Sequence, residues 1–205
     1  GVQNRAYPYL VCATQQCQVY GGVDKESPAT NRAIKQTRGL MLFDESGHLL
    51  DAVYHASSGG HTEHNEYVWP GTPEMTLRGK FDAPRRVRPP WPQGDIPTER
   101  QLRDFLSYTP DTFGDTVGFD NRVLRWTRDI TSEEMDAYVN AKYDIGGIRE
   151  IRVMSRGVSG RVRHVQFLGE LGIADVHGEL RVRRLLGNLK SGMFVVDVVG
   201  QTWRF

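Results

Sequence analysis

The chain has 205 residues, 39% hydrophobic and 25% charged, a composition that supports a sizeable hydrophobic core and argues against a disordered chain. Its 26 Lys and Arg balance 25 Asp and Glu, and the formal net charge of +1 gives no general electrostatic case for nucleic acid or an anionic membrane. No run reaches the roughly 18–20 apolar residues of a membrane span, and residues 1–20 lack the charged-then-apolar layout of a secretory signal.

The two cysteines, Cys12 and Cys17, are close in sequence. A disulfide between them closes only a small loop, and a four-ligand zinc site would need two further ligands with no second Cys pair to supply them. Residues 27–39 read as a helix: Ser27 or Thr30 can cap it, Pro28 suits its first turn and Gly39 its C-terminal stop, with Ala33, Ile34 and Thr37 on one face. Met41 to Phe43 and Leu49 to Tyr54 then read as strands joined by a turn at Asp44 to Gly47. This hairpin delivers the chain to Ser57-Ser58-Gly59-Gly60.

Pro84, Pro89, Pro90, Pro92 and Pro97 forbid a regular helix or central strand over residues 83–97. The run Arg85-Arg86-Val87-Arg88 lies among them and reads as a solvated loop. Two capping-box patterns follow, Thr98 with Gln101 and Thr131 with Glu134. They predict helices that turn Leu102, Phe105 and Leu106, and Met135 and Val139, inward. From Ile148 onward, residues 148–154, 162–168, 180–186 and 194–199 read as strands separated by Gly-containing turns. The expected fold class is α+β: antiparallel strands with a few helices forming one wall of a cleft, in a single domain over 1–205 with an insertion at about 84–127.

The densest chemistry lies between Tyr54 and Gly71. Small residues and a Gly pair let a ligand approach backbone amides, Ser57, Ser58, Thr62, Glu63, Asn65 and Glu66 offer hydrogen-bonding groups, and Tyr54, Tyr67 and Trp69 add flat apolar faces. Aromatic faces beside many donors and acceptors suit a sugar polymer. The same residues also fit a strand-ending turn with a core Trp69. His55, His61 and His64, with Glu63 and Glu66, raise a metal-dependent hydrolase, but the Gly pair denies them helical spacing. Ser57 and Ser58 lack the Gly-x-Ser-x-Gly setting of a nucleophilic serine.

Taken in order, Cys17-Gln18-Val19-Tyr20, Asn31-Arg32-Ala33, Thr37-Arg38-Gly39, the run from Tyr54 to Thr62 and Val68-Trp69 resemble the SpoIID/LytB domain family. The C-terminal elements Gly147-Ile148, Ser159 to Val162 and Val182 to Gly187 are similar to that family's closing strands and its Arg-x-x-Leu-Gly motif. The resemblance implies an extracytoplasmic protein of the cell envelope acting on peptidoglycan glycan strands, as a lytic transglycosylase or as an amidase enhancer. It further implies one glutamic acid that serves first as acid and then as base. That glutamate belongs to an upstream Glu-x-Pro element not found here; Glu26 precedes the family's second landmark helix and is out of register with it. The chain is therefore expected to be N-terminally incomplete and inactive alone. Its partners are glycan strands and either a cell-wall amidase or the missing segment, with no nucleic acid and no membrane span. The implied glycan contacts are Thr37, Arg38, Tyr54, Ser57, Ser58, Gly59, Gly60, Thr62 and Trp69. Arg38 can pair with the carboxylate of a muramic sugar or cap its own helix. No cofactor is expected, and if zinc binds, its candidate ligands are Cys17, His55 and His61.

Overall fold

A computed structural model describes residues 3–4, 7–11, 21–50, 52–53, 55, 57–69, 71–88, 95–96, 98–107, 111–113 and 124–205. The chain divides into two compact units, Gly1–Ala56 and Ser57–Phe205.

In the first unit, β1 (Gln3–Asn4) pairs antiparallel with β2 (Tyr7–Val11). The helix expected at 27–39 is α1 (Pro28–Thr37), and Ser27 caps it through a reciprocal box with Thr30. Arg38 is the C-cap, and Gly39 takes the left-handed φ of 79° that ends the helix. No residue of α1 is buried, Ile34 being 68% exposed. Among the described residues of the expected hairpin, Asp44 accepts from the amides of Ser46 and His48 in a tight turn, and Phe43 and Leu49 form one isolated bridge.

The second unit holds the core. Helix α2 (Asn65–Val68) is a single turn, and α3 (Glu99–Ser107) starts at the Thr98–Gln101 box. Strand β3 (Asp129–Thr131) leads into α4 (Ser132–Tyr143), capped by Thr131 and Glu134 as expected. Then come β4 (Ile148–Arg156), β5 (Val162–Gly169), β6 (Ile173–His177), α5 (Glu179–Leu185), β7 (Asp197–Val199) and β8 (Thr202–Arg204). Two antiparallel sheets result, in the orders β4-β5-β6 and β3-β8-β7. The α+β class is thus met.

Alternation gives the larger sheet one dry face. Val162, Val165 and Phe167 of β5 and Ala174 and Val176 of β6 are buried with Met135 and Val139 of α4, Val182 and Leu186 at α5, and Phe194, Trp203 and Phe205. Phe194 and Phe205 meet edge to face at 5.3 Å. A second, smaller cluster joins Ile96, Leu102 and Phe105 to Met193, with Phe81 against it. Arg156 links the two regions: its side chain is 3% exposed and donates to the carbonyls of Gly160 and Phe194, at 2.9 and 2.8 Å, while reaching Glu99.

Two expectations in this unit need correction. Residues 180–186 are not a strand, because Val182 and Leu186 recur at helical spacing and bury one face of α5 between arginines that favour helix. Of residues 194–199 only Asp197–Val199 pairs, with β8. The structure also adds β6, which the sequence reading omitted.

Candidate functional site

The segment expected to carry function begins as a buried turn. Gly59 and Gly60 both have positive φ, 65° and 98°, and a Cβ on Gly60 would lie 2.9 Å from Phe105 Cζ. Ser58, only 4% exposed, donates its hydroxyl to Asp82 at 2.5 Å and accepts from the Gly60 amide. Asp82 returns a backbone hydrogen bond to Gly60. The Ser57 hydroxyl accepts from the Gly59 amide at 3.2 Å, and Thr62 pairs with Lys80 through both main chain and hydroxyl.

Arg161 holds this turn from beneath. Its guanidinium donates to the carbonyls of Ser58 and His61 at 2.8 and 2.9 Å. Burial pulls its pKa below the usual arginine value, against the opposing pull of the Glu63 carboxylate. Glu63 forms the complementary joint. It accepts from the Ser159 hydroxyl at 2.6 Å and from the amides of Val158 and Ser159 in the turn between β4 and β5. A Cβ on Gly157 would sit 2.0 Å from Glu63 Oε2, so any side chain there displaces the carboxylate from these bonds.

The next residues turn toward the open face of the larger sheet. His64 Nδ1 accepts from the Gly79 amide at 2.8 Å, which places a neutral ring's proton on Nε2. Arg78 forks onto Glu66 and also donates to Asn65. This pairing brings the Glu66 carboxyl down from 4.5 to about 2. The Tyr67 ring lies beside His64 and under the guanidinium of Arg163, 3.6 Å from the ring centroid. An open cleft of about 270 Å³ is lined by Glu66, Tyr67, Ser155, Arg163, His164, His177 and Gly178.

The expected site residues therefore occupy different settings. Thr37 and Arg38 are exposed in the first unit, where Thr37 also donates to the Ala33 carbonyl at 2.8 Å. In the second unit Ser58 and Gly60 are buried, Ser57, Gly59 and Thr62 are partly exposed, and Trp69 is 50% exposed at the end of α2. Tyr54, Cys12 and Cys17 lie outside the described residues. His55 is exposed, whereas His61 is fully buried with Nδ1 2.7 Å from the Thr62 carbonyl. Among the described residues, the cluster with metal-ligand proximity is elsewhere: His164, Asp175 and His177. Its signal was the hairpin symmetry of residues 164 and 177 about a Gly169-Glu170-Leu171-Gly172 turn, visible once β6 is read as a strand.

A family model described as Domain of unknown function (DUF8618) matches residues 63–205. The chain belongs to this family. The DUF8618 match takes in Glu63, Arg78, Arg161 and the whole sheet face bearing His164 and His177. A second family model, Stage II sporulation protein (SpoIID), matches residues 2–43. The Amidase enhancer of Bacillus subtilis (strain 168) is 45% identical over 56 residues, covering 27% of this chain and 8% of that protein. The chain thus aligns to under a tenth of that curated relative's length. The SpoIID match over residues 2–43 and the identity to the amidase enhancer bear out the SpoIID/LytB resemblance read from the motifs. No solved structure matches the chain. Among the described residues, no helix is long and apolar enough to cross a membrane.

Proposed function

We propose that this DUF8618 chain is a bacterial cell-wall module that engages peptidoglycan glycan strands outside the cytoplasmic membrane. The observation that carries the reading is the SpoIID match over residues 2–43 together with the 45% identity to an amidase enhancer. In the first unit the proposed contacts are the exposed Thr37 and Arg38. In the second they are Ser57, Thr62 and Trp69, with Ser58, Gly59 and Gly60 shaping the turn between Ser57 and Thr62. The half-exposed Trp69 offers an apolar face for a sugar ring, and the Ser57 and Thr62 hydroxyls offer hydrogen bonds to sugar hydroxyls.

Within this reading, the chain supplies binding to a SpoIID-like lytic transglycosylase reaction whose acid it does not itself provide. The test is incubation with peptide-stripped peptidoglycan, pelleting, and mass spectrometry of the soluble fraction. Co-sedimentation without anhydro-sugars is expected. Released anhydro products would mean the chain carries its own acid, and failure to sediment would remove glycan binding.

A second reading, activation of a cell-wall amidase, is favoured by the name of the B. subtilis relative. It predicts that adding the chain raises the rate at which such an amidase releases stem peptides from intact peptidoglycan. An unchanged rate would count against it.

A further inference from the structure

The β5–β6 pair carries a donor set that the glycan reading does not use. Its register sets His164 opposite His177 and Gln166 opposite Asp175. These four residues share the face opposite the buried Val165, Phe167 and Val176. The imidazoles of His164 and His177 stack at 3.9 Å with 15° between their planes. His164 Nε2 lies 2.6 Å from Asp175 Oδ1, and one ligand atom from each of the three residues lies within 4.8 Å of the others.

We propose that His164, Asp175 and His177 form a binding site for a divalent late first-row transition ion, with Zn²⁺ as its representative. Two imidazole nitrogens and one carboxylate oxygen suit this class better than calcium or magnesium, which favour all-oxygen shells. The support is rigid, since the ligands stand on paired strands whose other face is packed into the main core. An outer partner is also in place: Gln166 Nε2 donates to Asp175 Oδ1 at 3.0 Å and orients the carboxylate.

The His164–Asp175 pair lies close to what an ion needs, and the His177 nitrogen, within 4.8 Å of the other ligand atoms, reaches the same point once its ring turns out of the stack. Metal–ligand bonds of about 2.0–2.2 Å place ligand atoms roughly 3 to 3.5 Å apart, so His164 and Asp175 open by less than about an ångström. The ion takes the place of the hydrogen now held between them. Three protein ligands leave the remaining coordination to water or to a ligand oxygen, the arrangement of an open site rather than a closed structural one. That open side adjoins the cleft bearing Ser155, Arg163, Glu66 and Tyr67. An ordinary His–Asp ion pair needs only His164 and Asp175. His177, which register sets opposite His164 with a ring nitrogen within 4.8 Å of the other two ligand atoms, is the third ligand that a metal site requires in addition.

The test is calorimetric titration of the chelator-treated full chain with Zn²⁺. It is repeated in a Cys12→Ser/Cys17→Ser background, so that cysteine sulfur cannot contribute to the zinc bound. One equivalent is expected to bind in that background. His164→Asn and His177→Asn should each weaken it at least about tenfold, the lower end of the loss seen when only an outer-sphere partner is removed. Their apo circular dichroism should be unchanged. Histidine ring ¹⁵N spectra should show His164 and His177 shifting together with one equivalent of Zn²⁺. No binding in the serine background, undiminished binding in His177→Asn, or unshifted rings at saturation would each overturn the site.

Discussion

The Glu63 carboxylate accepts the Ser159 hydroxyl at 2.6 Å, across 96 positions of sequence, and thereby fixes the turn between β4 and β5 to the segment that follows the double glycine. Ser159 is fully buried. Removing the carboxylate leaves its hydroxyl and the Val158 and Ser159 amides without this acceptor. Glu63→Ala is expected to destabilise the protein by about 2–4 kcal/mol in urea unfolding, with Glu63→Gln losing less because it keeps one carbonyl acceptor.

Arg161 makes the reciprocal joint through the Ser58 and His61 carbonyls. Arg161→Lys keeps the charge but not the two-pronged donor geometry. It should cost about 1–3 kcal/mol and raise amide hydrogen exchange at Gly60 and His61 above the wild-type rate. Unchanged exchange there would show that the turn holds its shape without the fork.

Gly60 combines a φ of 98° with a Cβ direction that ends against Phe105. Gly60→Ala therefore suffers both backbone strain and a clash with a buried ring. A loss of about 2–4 kcal/mol is expected in thermal or urea unfolding. Gly39→Ala, where the added Cβ meets nothing within 4 Å, should lose less despite its own positive φ.

Glu66 yields a pH prediction. Its folded pKa is lowered from 4.5 to about 2 by the Arg78 hydrogen bonds, so the pair stabilises the fold fully above the unfolded value. That contribution is lost as pH falls from about 4.5 toward 2. Urea midpoints of wild type and Glu66→Gln, measured from about pH 6 to pH 3, should converge on acidification. A gap that does not narrow would contradict the assignment.

The parts of the fold legible in the sequence were those decided locally. The Thr98–Gln101 and Thr131–Glu134 boxes each settle a helix start within four residues, and both are present, as is the cap expected at Ser27. Strands β4 and β5 announced themselves by apolar alternation. Helix α5 was misread because four apolar residues within seven fit either period, and only the packing of Val182 and Leu186 decides between them. The role of Glu63 depends on a turn nearly a hundred residues away, and the His164–His177 pair on strand register. Neither is a property of any short window. The resemblance of the first segments to SpoIID was legible for the opposite reason: its motifs are short, ordered and contiguous.

The proposed binding of cell-wall glycan through the surface that carries Trp69 is tested most directly by co-sedimentation with peptide-stripped peptidoglycan for wild type and Trp69→Ala, both confirmed folded by circular dichroism. The wild-type chain should pellet, and loss of the indole should weaken binding about fivefold or more, the equivalent of roughly 1 kcal/mol for one aromatic–sugar contact. A folded wild-type chain left wholly in the supernatant, or a Trp69→Ala variant that pellets as well as wild type, would contradict it.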